Sequence, residues 1–348
     1  MAINTAAHNP KEFQILVAPE ATVGTAPSGS AFVAIETDSI SMPTYNDLRV
    51  MEQRSGSTGR VLNQNDLLSH EPGAVHEFAV SGVLTTDLID ILFPAAFGKA
   101  VASNFITLAS GYEHTAFNFG ASSSGAHNTV CFYVNGLAND DVTTGGGISG
   151  NSYSIPGCVV TSFKVTGNAQ ENGGRLMFEL TAMTRNTLTA IGAAKLTGFT
   201  DFTENFQYLG QFTEDKKIGG QVVALDNFEL AVENPVSFLG NKTSGGYEGC
   251  PESYLRGIPN LDVQVTATVK YDDNVDQFFQ MQKELTPITS DALFLSSASD
   301  FTQSTDLGFN IPAGVITEVA FDESDYLKLT LTMKMIDKLS GNLISVRI

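Results

Sequence analysis

The chain has 348 residues, comfortable for two ordinary domains, and 42% of them are hydrophobic, enough to fill a core. Its formal charge is −19, with 8 basic against 16 acidic residues up to Ala190 and 11 against 22 beyond it. Both parts are acidic and no basic stripe or tail occurs, so the footprint of a protein that grips nucleic-acid phosphates is missing. Cys131, Cys158 and Cys250 are odd in number and show no CxxC spacing, which argues against a disulfide framework or a cysteine zinc site and for buried thiols.

Short apolar runs separated by Gly-, Ser- and Thr-rich turns predict a mainly β chain. The start, MAINTAAHNPKEF, has neither a basic region nor an apolar core, so no signal peptide is expected. No apolar run approaches the ~18–20 residues that span a bilayer. Folding in a cytoplasm is therefore expected. Next in order, IETDSIS (Ile35–Ser41) reads as a strand, followed by a long polar stretch over 45–75. HEFAVSGVLTTDLIDILF (His76–Phe93) begins with strand alternation at Phe78, Val80 and Gly82. It then switches to helical spacing at Leu88, Ile91 and Leu92, which predicts a helix ending at or near Pro94.

An insert rich in Gly, Ser and Thr precedes IPGCVVTSFKV (Ile155–Val165), the turn QENGG and the alternating RLMFELTAMTR, together a β-hairpin. The same order then returns. ALDNFELAVE (Ala224–Glu233) is a strand, and 234–260 a second long stretch. LDVQVTATVKYDDNVDQFF (Leu261–Phe279) alternates at Val263, Val265 and Ala267, then takes helical spacing at Val275, Phe278 and Phe279, with a helix reaching about Glu284. IPAGVITEVAF (Ile311–Phe321), DESD and YLKLTLTMKMI close a second hairpin, with Leu176, Phe178, Leu180 and Ala182 matched by Leu327, Leu329, Leu331 and Met333. Three matches in one order predict two tandem domains of one fold, 1–190 and 191–348, with a boundary near 186–198.

Chemistry-bearing motifs are sparse. Gly145, Gly147 and Gly150 spell G-x-G-x-x-G, but without the following helix that a dinucleotide site needs. His8, His70, His76, His114 and His127 lack metal-ligand spacing. The acidic groups at 140–141, 272–273 and 322–325 lack a calcium-loop pattern and read as turns and a helix start. No catalytic, metal or cofactor residue is assigned, and no enzyme activity is expected. The long stretches are the functional candidates, because loops of that length in compact domains are functional or disordered. Arg49, Met51, Arg54, Arg60 and Leu62 in the first, and Phe238, Tyr247, Tyr254 and Arg256 in the second, are the types favoured at interfaces, and are predicted to contact neighbouring subunits.

With APEATVGTAP (Ala18–Pro27) leading into strand, long loop, strand, helix and closing hairpin, twice over, the chain resembles the tail tube (major tail) proteins of long-tailed bacteriophages, in the variety with two fused tube domains. The resemblance implies two tandem β-sandwich or barrel domains, each with one flanking α-helix. It implies sheets joined between neighbours into stacked rings, trimeric and pseudo-hexameric for a two-domain chain, with loops and terminal arms bridging rings. Its implied partners are further copies of itself, a tape measure protein in the lumen, and tail terminator and distal tail proteins at the ends. Genomic DNA would pass through an acidic channel without specific binding, and no membrane is involved. Its place would be the virion tail, after synthesis in the host bacterial cytoplasm. A carbohydrate-binding or adhesin-type β-sandwich, a hydrolase on a β scaffold, and another virion protein such as a tail terminator or decoration protein are the competing readings.

Overall fold

The computed structural model describes residues 13–41, 48–49, 69–70, 76–109, 116–118, 129–136, 152–184, 189–193, 196–201, 204–239, 253–256, 261–303, 306–322, 326–337 and 341–348. The chain opens with β1 (Phe13–Pro19), β2 (Val33–Ile35), β3 (Thr37–Ser41), β4 (Leu48–Arg49), β5 (Ser69–His70) and β6 (His76–Val83). Helix α1 (Thr86–Phe97) leads to β7 (Phe105–Ala109), β8 (Ala116–Asn118), β9 (Val130–Gly136), β10 (Ser152–Asn168), β11 (Leu176–Thr184) and β12 (Thr189–Ala193). Then come β13 (Lys217–Ile218), β14 (Gln221–Val222), β15 (Leu225–Glu233), β16 (Val236–Leu239), β17 (Ser253–Arg256) and β18 (Asp262–Lys270). Helix α2 (Gln277–Glu284) precedes β19 (Leu293–Leu295), β20 (Gly308–Ile311), β21 (Gly314–Asp322), β22 (Lys328–Met335) and β23 (Asn342–Arg347). The fold is mainly β, and its strands pair antiparallel in open sheets; no barrel closes among the described residues.

Eight strands lie side by side in the order β3-β6-β11-β10-β15-β18-β22-β21. The first four and the last four follow one scheme. Each begins with the earliest strand, adds the second, and closes with a hairpin whose later arm is inside. The two runs meet at β10·β15, where Phe163 lies opposite Val232 and Val165 opposite Leu230. Alternation builds this sheet, since β11 turns Leu176, Phe178, Leu180 and Ala182 inward, all buried, and leaves Glu179 in water.

A second layer covers the buried face. The first part of β10 pairs with β9 and β12 and the remainder with β11, so one 17-residue strand serves both layers. The chain turns the corner at Pro156–Gly157, where Gly157 has φ 70, a left-handed value that glycine takes without a Cβ clash. In the second half the corner is Pro312–Ala313, between β20 and β21. The covering strands are β2-β1-β9-β10-β12 in one half and β14-β13-β19-β20-β23 in the other, with β7 added beside β23. Phe78 on β6 meets Phe132 on β9 edge-on, ring centroids 4.7 Å apart.

Irregularities recur at matched places. Each hairpin bulges at a threonine: Thr161 Oγ1 donates to the Thr181 carbonyl at 3.3 Å, and Thr317 Oγ1 to the Thr332 carbonyl at 3.1 Å. The ladders β3·β6 and β15·β18 each skip one residue, Asp38 and Asp226. Both helices end in a left-handed residue, Gly98 (φ 63) and Leu285 (φ 50). Lys99 N then donates to Pro94 O at 3.2 Å, and Thr286 N to Met281 O at 2.9 Å.

Two expectations are corrected. The helix predicted to end at or near Pro94 carries that proline inside it and runs to Phe97. Proline removes one backbone donor, but Phe93, Ala95, Ala96 and Phe97 are all buried, and that packing holds the last turn. The two alternating runs, Phe78, Val80, Gly82 and Val263, Val265, Ala267, do not correspond in that order but are offset by two residues. Ala182 lies opposite Phe78, and its hairpin counterpart Met333 lies opposite Val265.

One hydrophobic cluster runs through both halves. At its centre, Phe93 on α1 is 5.1 Å from Phe163 and 5.9 Å from Phe309 on β20. Phe309 in turn lies 6.0 Å from both Phe212 and Phe228.

Candidate functional site: a polar sheet face and two sheet edges

The outer face of the eight-strand sheet is lined by Ser, Thr and charged side chains, because alternation sends every second residue away from the core. Lys164 on β10 reaches across both neighbours, its Nζ 3.2 Å from Glu179 on β11 and 3.2 Å from Glu229 on β15. Burial works against its ammonium, but hydrogen bonds to these two carboxylates outweigh that and raise its pKa. Lys334 pairs with Asp262 and Lys328 with Asp226, both at 2.6 Å, and the Ser162 hydroxyl donates to Glu233 at 2.6 Å. Thr268 and Thr330 are linked through their hydroxyls at 3.0 Å. Three of this face's lysines are thus matched with carboxylates, while Glu77 and Glu318 stand exposed.

The face is concave. A depression of about 510 Å³ spans β6, β11, β10 and β15, lined among others by Ser81, Ser162, Lys164, Glu179, Thr181 and Glu233, without an aromatic ring. A second, of about 320 Å³, continues it past Thr166 and Glu229 to Thr266. The second is also lined by Arg175, Asn172 and the buried Phe228.

Among the described residues the ends of this sheet are β3 and β21, each with one neighbouring strand, although Gly314 at the start of β21 exchanges backbone hydrogen bonds with Ile288 and the Gln282 amide donates to Thr317 O. An unpaired edge presents backbone donors and acceptors that another strand satisfies. Phe321, on β21, is 52% exposed, although its counterpart Val165 is fully buried beneath the β10·β15 seam.

The long stretches each hold a two-stranded antiparallel ribbon. In β4·β5, Leu48 lies opposite His70 and Arg49 opposite Ser69. In β16·β17, Val236 lies opposite Arg256, and β8 extends the ribbon. Met51, Arg54, Arg60, Leu62 and Tyr247 lie outside the described residues. Phe238 is half-buried against Tyr254, ring centroids 5.0 Å apart. Tyr254 is buried and donates its hydroxyl to the Gly157 carbonyl at the β10 corner, at 3.1 Å. Arg256 is fully buried, and its Nη1 donates to Ala96 O at 3.0 Å, beside the Asn234 amide at 2.9 Å. A cation at a helix C-terminus satisfies end carbonyls and opposes the dipole. Gly98 is needed here on both counts, since a Cβ would come within 2.8 Å of the Arg256 stem. Tyr254 and Arg256 therefore make their contacts within the chain. Replacing Arg256 with methionine is expected to lower stability by about 2–3 kcal/mol, measured as a shift in the urea midpoint.

Sequence reasoning passed over Glu20, which closes β1. Its carboxylate is buried and accepts from Gly157 N at 2.7 Å, Gly24 N at 2.8 Å and Thr129 Oγ1 at 2.7 Å. Burial pushes its pKa up to about 7 despite these donors. Cys131 and Cys158, both buried free thiols, are likewise raised by burial. The pair Asp272–Asp273 sits in a turn ahead of α2, with Asp272 accepting from Asn274 N at 2.9 Å. The glycine motif at 145–150, Cys250, His8, His114 and His127 fall outside the described residues. Among the described residues no cluster of His, Cys, Asp or Glu is arranged to hold a metal, and no helix is long and apolar enough to cross a membrane.

Neither known protein-family models nor curated proteins give a match to this chain.

Proposed function

We propose that the chain is a structural subunit of a phage tail tube, two fused copies of one tube domain that assemble into stacked rings around a DNA-conducting channel. One observation carries this reading: the strand order of the first half is repeated end to end by the second, and the two are stitched at β10·β15. The seam leaves a β3 edge at one end and a β21 edge at the other, and β21 is the counterpart of β10 as β3 is of β15. A head-to-tail contact of this kind generates a ring when its rotation closes. Three chains would place six equivalent seams around the ring.

The matched bulges, helix ends and corners support the duplication, because chance resemblance would not reproduce irregularities in place. The concave polar face supports the channel. Acidic net charge, and the pairing of Lys164, Lys328 and Lys334 with carboxylates, weaken the retention of phosphates, with Lys270 and Arg175 as the further cations bordering this face. In this reading the protein has no catalytic role, and its partners are its own copies, a tape measure protein, the proteins closing the tail's ends, and DNA in transit.

Electron microscopy of the purified protein is expected to show rings or stacked rings with a central channel. A chain that stays monomeric at high concentration and binds glycans would overturn the proposal.

A further inference from the structure

Within the chain, the contacts by which the second half grips the first include the seam and the ribbon β16–β17. The ribbon seals the C-terminus of α1, with Asn234 and Arg256 donating to Ala96 O and the Arg256 stem lying over Gly98. Among the described residues no ribbon covers the matching end of α2. Leu285, the counterpart of Gly98, is 65% exposed, and α2 buries only Phe278 where α1 buries nine of its twelve residues. Beside α2 on the edge strand, the exposed Phe321 ring meets Phe279 at 4.9 Å and Tyr271 at 5.7 Å, an apolar surface open on one side.

The chain also carries an unassigned ribbon of the fitting kind. β4–β5 follows β3 as β16–β17 follows β15, and Leu48 opposite His70 stands where Val236 stands opposite Arg256. His70 thus holds the register position of Arg256. Asn46 precedes Leu48 by two residues, as Asn234 precedes Val236.

We propose that the β4–β5 ribbon of a second copy of this chain docks on the C-terminal end of α2, covering Leu285, while that copy's β3 lies along the β21 edge beside Phe321 as β15 lies along β10 beside Val165. The inference rests on the tube reading in taking the second copy to be the next subunit around the ring. It assigns the first long stretch a contact within a ring, where the family resemblance places such loops between rings.

The test pairs His70→Cys with Leu285→Cys in a Cys250→Ser background. Mild oxidation is expected to give chain-to-chain disulfides in the double variant, seen as a ladder on a non-reducing gel, and none in either single variant. Leu285→Asp, which leaves the folded chain intact by circular dichroism, is expected to raise the concentration needed for assembly at least about tenfold. Rings by microscopy without that cross-link, or with an intrachain one, and with Leu285→Asp assembling as the parent does, would overturn the ribbon contact and leave the tube reading standing. A chain monomeric at every concentration would overturn both.

Discussion

Phe309→Ala is expected to lower the unfolding free energy by about 3–5 kcal/mol, the range for emptying a fully buried phenylalanine site, and to do so in one transition for the whole chain. Phe309 is on β20 in the second half, yet it packs on Phe93 of α1 as well as on Phe212 and Phe228. The cavity would therefore open between the halves, where neither can collapse without moving the other. Urea unfolding followed by tyrosine fluorescence and by far-ultraviolet circular dichroism should give coincident curves for parent and variant. Two separated transitions would mean that the halves keep independent cores, against the shared cluster. Phe321→Ser is the useful contrast. Its ring is half in water, so the monomer should lose little stability while assembly through the β21 edge weakens.

The elements of this fold are legible because burial is one-sided. Period-two alternation marked β6, β11, β18 and β22, and the switch to helical spacing marked both helices. The slip of Phe78 against Val263 instead of Val265 shows where that signal ends. A shift of two residues leaves every side chain on its own face, so the hydrophobic pattern is unchanged, and only cross-strand pairing and the bulge at Asp226 fix the register. Pro94 misled for a related reason. Its local cost is plain in sequence, whereas the packing of Phe93 and Phe97 that outweighs it comes from distant strands.

The seam at β10·β15 was not legible at all, since an edge strand and a central strand alternate in the same way. The interface candidates show a further ambiguity. Tyr254 and Arg256 have the chemistry of contact residues, and contact residues they are, with partners inside the chain. Aromatic and guanidinium groups bury the same area and make the same hydrogen bonds whether the facing surface is another subunit or another half. Glu20 gave no pattern to detect, being one acid after an apolar strand, and its role depends on Gly157 and Thr129, far away in sequence.

Glu20 is expected to make the fold less stable as pH rises from about 4.5 to about 7. Three donors favour its carboxylate, but burial opposes the charge more strongly, and its pKa rises from 4.5 to about 7. A group whose pKa is higher folded than unfolded binds its proton more tightly in the folded state. Its contribution is then fully present below the unfolded pKa and is lost as pH climbs through the folded one. The span corresponds to about 3 kcal/mol. Other carboxylates titrate over part of this window, so the informative quantity is the difference between parent and Glu20→Gln at pH 5, 6, 7 and 8. The glutamine removes this titration, and its amide must also set an N–H against Gly157 N or Gly24 N, since the two carboxylate oxygens accept from those donors separately. The variant should be the less stable protein at pH 5, and the gap should narrow by about 2–3 kcal/mol towards pH 8. A gap that does not change with pH would show that Glu20 stays ionised throughout, its three donors outweighing burial at the corner where β10 passes from one layer to the other.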